Sequence, residues 1–371
     1  MKAVLAFLSL ALLPAVAKIE QIHISYTGVQ GELAVDFVAT SAGSAQAYTS
    51  LDKSTWRSLP ATQFHAPTIG YMSQALLDFK GISAGSPAFY FVSGGGDNST
   101  IFEVTPIVSR PEVFAVYGDF GLANDVCMDN LVAEAAKGTF DSVLHVGDWA
   151  YNFDDDLSAV GNQFMNLVQG YAATHPVMPA EGNHERCSAC PEIPELSAQG
   201  EPNEHNFTEY KARMHATALF AGKNAGTNTA RYYSFNQGLT HFIVFTAEAY
   251  LYARDATFIA NQLRFMKADL AAVDRKATPW VVALAHKDWT MEAEAFGDFS
   301  PILQDAKVDI LFVGHVHYYN SAFEALCPQL AGALRGRCAR FFLFLFSLSL
   351  FFLPHNPTPP TALQGSCLMT L

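Results

Sequence analysis

An α/β architecture behind an all-β front module is predicted by three features of the chain. Short polar and apolar residues alternate from Lys18 to about Arg110, with Gly, Ser and Asp between the runs. After Pro111 apolar runs of four to six residues alternate with helical stretches. Several of those runs end on a glycine followed by a carboxylate, amide or imidazole, and this third feature turns the fold into a hypothesis about chemistry.

The chain has 371 residues, 50% of them hydrophobic and 15% charged, which indicates a globular protein with room for two domains. Its first segment, residues 1–17, has Lys2, an apolar stretch from Ala3 to Leu13 and the small residues Ala15-Val16-Ala17, and is expected to be a signal peptide. The stretch is short for a bilayer span. A secreted or lumenal location (extracellular or vacuolar) follows, with no stable membrane anchor, and the triplets beginning at Asn98 and Asn206 become candidate glycosylation sites.

Residues 18–110 contain "QIHISYTG", "LAVDFVAT" and "PAFYFVSGGG", which predict an antiparallel β-sandwich. From residue 111 to about 325, "NDVCMDNLVAEAAKG" and "NQLRFMKADLAAVDRK" predict helices between buried strands. No period of 20 to 50 residues recurs. The tail, residues 326–371, holds "FFLFLFSLSLFFL" and a Pro-rich end, to which no function is assigned. A pyrimidine-rich unspliced intron or a frame error would encode such a segment.

The net charge of -13 excludes the basic surface that nucleic acid or an anionic membrane requires. Of six cysteines, Cys187 and Cys190 form an isolated C-x-x-C, for which a local disulfide and two free thiols both stay open and a zinc ribbon is disfavoured.

The strand ends carry the chemistry. "VFAVYGDFG" ends at Asp119, "SVLHVGDWAY" at Asp148 with Tyr151 behind it, "PVMPAEGNHE" at Asn183 and His184, "WVVALAH" at His286, and "ILFVGHVH" at His315 and His317. In an open α/β sheet the carboxyl ends of strands line the binding crevice, so side chains distant in sequence can converge there. Each residue has an ordinary reading of its own: an Asp after a strand can cap a helix, Asn183 can sit in a turn, and His286 can be a core imidazole. Seven candidate ligands (Asp119, Asp148, Tyr151, Asn183, His286, His315, His317) in five runs instead suit two metal ions sharing a carboxylate. Oxygen and imidazole donors without thiolate match Fe, Mn or Zn.

These blocks resemble, in order, those of the purple acid phosphatases, a branch of the calcineurin-like metallophosphoesterases. Gly118-Asp119-Phe120-Gly121, Gly147-Asp148-Trp149-Ala150-Tyr151, Gly182-Asn183-His184-Glu185, the run to His286 and Gly314-His315-Val316-His317 carry the likeness. It extends over about residues 20 to 325 and implies a fibronectin-type front domain before a four-layer α/β/β/α metallophosphoesterase domain, apparently incomplete at its C-terminus. By position it implies Fe(III) on Asp119, Asp148, Tyr151 and His317, and a divalent ion (Zn, Fe or Mn) on Asp148, Asn183, His286 and His315. Asp148 bridges, and Tyr151 as phenolate gives the purple colour.

The implied reaction is hydrolysis of phosphate monoesters by metal-hydroxide attack, with His184 donating a proton to the leaving alcohol or steadying the phosphate. Two departures bear on this. "HKDWTMEAEAFGDFS" lacks the histidines that plant-like members place after this block, with Lys287 as a substitute, and the chain after about Ala325 does not continue the family pattern. A phosphodiesterase or nucleotide pyrophosphatase on the same core, and an inert binding protein with a truncated catalytic domain, are the alternatives. The sequence carries no statement of oligomeric state.

Overall fold

The structure is a computed structural model, and it describes residues 18–122, 127–187, 190–191, 193–197, 207–253, 255–287, 293–317, 320–323, 342–345 and 368–370. The expected signal peptide, Asn206 of the second acceptor triplet and most of the tail lie outside these residues.

The front strands are β1 (Ile19–Tyr26), β2 (Glu32–Ala39), β3 (Gln46–Ser50), β4 (Arg57–Ala66), β5 (Gly70–Asp78), β6 (Ala88–Gly94), β7 (Asp97–Asn98) and β8 (Phe102–Val104). All their pairings are antiparallel, in the order β1-β2-β5-β4-β3-β6-β7 with β8 also on β6. β4 pairs with β3 through Arg57–Pro60 and with β5 through Ala61–Ala66. A strand that changes partner midway lets the sheet fold over on itself and enclose Val35, Phe37, Ala47, Tyr90 and Val92.

The rest of the described chain holds two sheets. One runs β11 (Val177–Pro179), β10 (Ser142–His145), β9 (Val113–Tyr117) and β18 (Leu368–Thr370). The other runs β12 (Tyr233–Gln237), β13 (Thr240–Val244), β14 (Trp280–Leu284), β15 (Ile310–Val313), β17 (Phe342–Leu345) and β16 (Asn320–Phe323). Strands β9, β10 and β11 are mutually parallel, as are β13, β14 and β15.

The period of two within each strand builds the layers. Phe114, Val116, Leu144 and Met178 of the first sheet share one apolar cluster with Phe242, Val244, Val282, Leu284 and Phe312 of the second. Their alternates face outward: Ala115, Tyr117 and Val143 pack on the helices Met128–Ala136 and Ala159–Ala172. Ile243, Val281, Ala283 and Leu311 pack on Ala256–Ala272 and Ala293–Asp305. The order of layers is therefore α/β/β/α. Strands buried on both faces read as unbroken apolar runs, which is how they looked in the sequence. The helix Ala256–Ala272 starts where Asp255 accepts from the Thr257 and Phe258 N–H groups.

Two tail segments, β17 and β18, pair with β15 and β9. Strands therefore extend both sheets from a region in which the sequence offered no recognisable continuation. Among the described residues no helix is long and apolar enough to cross a membrane.

The front strands and the α/β half are sewn together by buried polar groups. At the bulge of β1, where Gln21 has φ 58°, the Gln21 and Ile22 N–H groups donate to Asn166 and Gln169 of the helix Ala159–Ala172. Arg213, fully buried, donates to Gln21, Asn162 and Glu209. Burying a guanidinium is costly unless acceptors meet it, and the acceptors for its two terminal nitrogens come from both halves, while Nε has none among the described residues.

Candidate metal centre

All seven candidate ligands and His184 lie at the carboxyl ends of strands from both sheets. Asp119 follows β9, Asp148 and Tyr151 follow β10, and Asn183 and His184 form a short 3-10 turn after β11. His286 follows β14, and His315 and His317 follow β15. The crevice expected of one open sheet is here the meeting line of two.

Candidate ligand atoms of Asp148, His286 and His315 lie within 4.8 Å of one another. His286 Nε2 is 3.2 Å from Asp148 Oδ2. The Tyr151 hydroxyl is 2.6 Å from His317 Nε2 and 3.3 Å from Asp119 Oδ1, and His317 Nε2 is 3.3 Å from that same Asp119 oxygen. His184 is brought in through its main chain, whose N–H donates to Asp148 Oδ1 at 2.9 Å, while its Nε2 is 4.0 Å from Asp148 Oδ2. Asp119, Asp148 and His286 are buried, Tyr151, His184 and His315 are half-buried, and His317 is exposed. One side of the cluster therefore opens to solvent.

The backbone holds these side chains at a cost. Asp119, Asp148, Tyr151 and His315 all have positive φ, between 51° and 71°, a region that non-glycine residues seldom enter. Two glycines make the close approach possible. At Gly147, φ 91°, a Cβ would stand 2.7 Å from His286 Nδ1, and at Gly182 it would collide with the Asp148 carboxylate.

The donor set fits a pair of cations. Asn183 Oδ1 and His286 Nε2 are buried yet accept or donate no hydrogen bond among the described residues. The 3.2 Å approach of His286 Nε2 to Asp148 thus brings charges together without a directed bond. His286 Nδ1 donates to the Val146 carbonyl at 2.8 Å, so Nε2, the nitrogen turned toward the carboxylates, is the one that would give up its proton and offer a lone pair to a cation.

The electrostatics agree. Burial opposes charge on His286, but the Asp148, Asp119 and Glu248 carboxylates raise it to about 10. Burial and the neighbouring Asp148 raise Asp119 to about 6 against the pull of His286, and burial with Asp119 and Asp148 pushes the Tyr151 phenol up. Burial, then the positive charges of His286 and Lys287, lower His315 to about 4. Carboxylates and a phenol packed this closely call for positive charge, which a metal pair would supply.

Three buried carboxylates escaped the sequence reading. Glu185 accepts from the Asp148, Trp149 and Gly182 N–H groups at 2.8, 2.8 and 2.7 Å, tying the loop after β10 to the loop after β11. Glu181 is paired with Arg231, both fully buried. Glu248 follows β13, and Lys287 Nζ lies 3.2 Å from its Oε2. Glu248 ends the apolar run "FIVFTAE", so the rule that singled out the other strand ends would have found it. Glu185 was in plain view beside His184, but an acceptor of backbone N–H groups leaves no periodic signal. Cys187, three residues beyond His184, forms a disulfide with Cys190, which settles the pair that the sequence left open.

Comparison with known proteins points the same way. A model of the family described as calcineurin-like phosphoesterase matches residues 113–319. Acid phosphatase type 7 of Mus musculus is 29% identical over 283 residues, covering 72% of this chain and 58% of the mouse protein. Purple acid phosphatase 22 of Arabidopsis thaliana is 33% identical over 242 residues, covering 62% of this chain and 50% of the plant protein. The chain spans about half the length of the curated relatives it matches. Among solved structures, a purple acid phosphatase from seeds of yellow lupin (Lupinus luteus) superposes with a TM-score of 0.67 at 18% identity, over 92% of this chain and 67% of that one, a likeness of fold.

Proposed function

This chain belongs to the calcineurin-like phosphoesterase family, and from that premise we propose that it is a secreted purple acid phosphatase that hydrolyses phosphate monoesters. The observation that carries the proposal is the convergence of Tyr151, Asp119 and His317 beside Asp148, His286 and His315, with Asn183 Oδ1 buried and without a hydrogen bond among the described residues.

In this reading Asp119, Asp148, Tyr151 and His317 hold Fe(III), and Asp148, Asn183, His286 and His315 hold Zn, Fe or Mn, with Asp148 shared. When bound, the pair supplies Lewis acidity toward phosphoryl oxygens and acidifies a water. The protein's own groups do the rest. Val146 fixes the His286 tautomer, and Glu185 fixes the spacing of the two loops that carry Asp148 and Asn183. His184 Nδ1 donates to Asn152 Oδ1 at 2.9 Å, which orients the ring, and only the doubly protonated imidazole would have an Nε2 proton to give to the leaving alcohol.

The test is a comparison of monoester and diester hydrolysis by the purified protein. Faster monoester turnover, lost in Asn183→Ala, supports a phosphomonoesterase. Faster diester turnover transfers the assignment to a phosphodiesterase, and equal inactivity of both proteins transfers it to an inert binding protein.

A further inference from the structure

Strands β3 and β6 of the front sheet turn one face to the core and the other to solvent. Ala47, Tyr90 and Val92 are fully buried on the inner face. On the outer face Tyr48 and Phe91 are directly opposed across the strands, stacked with ring centroids 4.4 Å apart and planes 5° from parallel, yet both stay half-exposed. Trp56, also half-exposed, stands edge-on to Phe91 at 4.9 Å. Polar groups border the rings: Gln46 Oε1 accepts from the Tyr48 hydroxyl at 2.5 Å and from Ser58 at 3.3 Å. Lys53 lies over Phe89 at 4.1 Å and pairs with Glu103 at 3.6 Å.

The occupant of this face is indicated by the edge of the same sheet. β6 turns into β7 through Gly95 and Gly96, with φ 61° and 91°, the combination that a tight two-residue hairpin needs. That turn sets Asn98 opposite Ser93, and Ser93 opposite Gln46. Directly opposed residues of an antiparallel sheet share a face, so Asn98 projects on the side that carries Tyr48 and Phe91. Asn98 and Thr100, the two ends of the acceptor triplet, are exposed. Strand spacing and rise place Asn98 about 8 Å from Phe91 and about 12 Å from Tyr48.

We propose that Asn98 carries an N-linked glycan whose first sugar rings lie over the Tyr48–Phe91–Trp56 face and shield it. The chemistry is complementary. Pyranose rings offer C–H groups to an aromatic face and hydroxyls to the amide of Gln46, and covalent attachment raises the local concentration of the sugar at the patch. A free protein partner would need recruitment; this ligand is tethered one strand away.

The test uses residues 18–371 expressed behind the leader of a eukaryotic secretory host. The inference rests on the secretory route proposed above, but here the host supplies that route, so a negative result leaves the phosphatase reading intact. Peptide mass mapping first reads occupancy at Asn98. Enzymatic removal of the glycan should then lower Tm by about 2 °C or more and raise acrylamide quenching of Trp56, identified by comparison with Trp56→Phe. In Phe91→Thr the same removal should shift Tm by less than about 1 °C. If that variant does not fold, quenching of Trp56 in the unsubstituted protein decides. An unmodified Asn98 in folded, secreted protein overturns the proposal, as does a Tm shift equal in both proteins or quenching unchanged by glycan removal.

Discussion

Replacing Arg231 by methionine should cost several kcal/mol of stability, because it strands a buried carboxylate. Arg231 Nε and Nη2 donate to Glu181 Oε2 and Oε1 at 2.6 and 2.9 Å, and neither side chain reaches solvent. Phe207 and Phe258 cover the guanidinium, with ring centroids 4.4 and 4.2 Å away. Methionine refills much of the volume but leaves the Glu181 carboxylate buried without its counter-charge, a loss of about 3–5 kcal/mol. For a domain of this size each kcal/mol is about 2–4 °C, so Tm should fall by about 6–20 °C. Urea unfolding followed by fluorescence of the buried Trp149 measures it. Adding Glu181→Gln should restore most of the loss, because the stranded charge is then gone. A single-variant loss below about 1 kcal/mol, or a double variant that falls by the sum of the two singles, would refute the reasoning. Glu181 lies two residues before Asn183, so the same change should also loosen the candidate ligand loop.

Three further outcomes are expected. In metal-free protein Asn183→Ala should leave unfolding within about 1 kcal/mol of the parent, since the amide oxygen makes no hydrogen bond among the described residues, yet it should lower metal content and monoester turnover of the loaded protein by at least about 100-fold, as read by elemental analysis and initial rates. Gly182→Ala should destabilise by about 1–3 kcal/mol in the same urea assay and displace Asp148, because the new methyl meets that carboxylate and its N–H. Burial raises Glu112 to about 7 from an ordinary 4.5, against the opposing hydrogen bonds from Tyr26 and Gln237. A carboxyl raised on folding contributes stability that is complete below about 4.5 and lost as pH climbs through 7, here about 3 kcal/mol, and Glu112→Gln should flatten that slope in unfolding curves between pH 4 and about 8.

Sequence and structure agree where a signal is periodic or punctuated. Apolar runs ending on Gly-Asp, Gly-Asn-His or Gly-His mark buried parallel strands whose carboxyl ends converge, and Asp119, Asp148, Asn183, His286 and His315 meet as such ends do. The two-sheet arrangement was less accessible to periodicity alone. Alternation inside β9 or β14 tells which residues share a face, but both faces are apolar, so sheet-on-sheet and helix-on-sheet packing look alike until contacts are seen. Residues that act through backbone groups or through partners distant in sequence left no pattern. Glu185 binds three N–H groups from two loops, and Glu181 meets Arg231 fifty residues on. The strand at 368–370 adds to a sheet edge and the strand at 342–345 lies between β15 and β16, and in both the pairing is by backbone and asks little of the side chains.

The central claim is that Tyr151, Asp119, Asp148 and His317 hold a ferric ion within a two-metal phosphatase centre. The most direct measurement is the visible absorption spectrum of the purified, iron-replete protein beside that of Tyr151→Phe. The account predicts a broad purple or pink band from phenolate bound to Fe(III), absent in the phenylalanine variant. A colourless iron-replete protein, or a band that survives the loss of the Tyr151 hydroxyl, would contradict it.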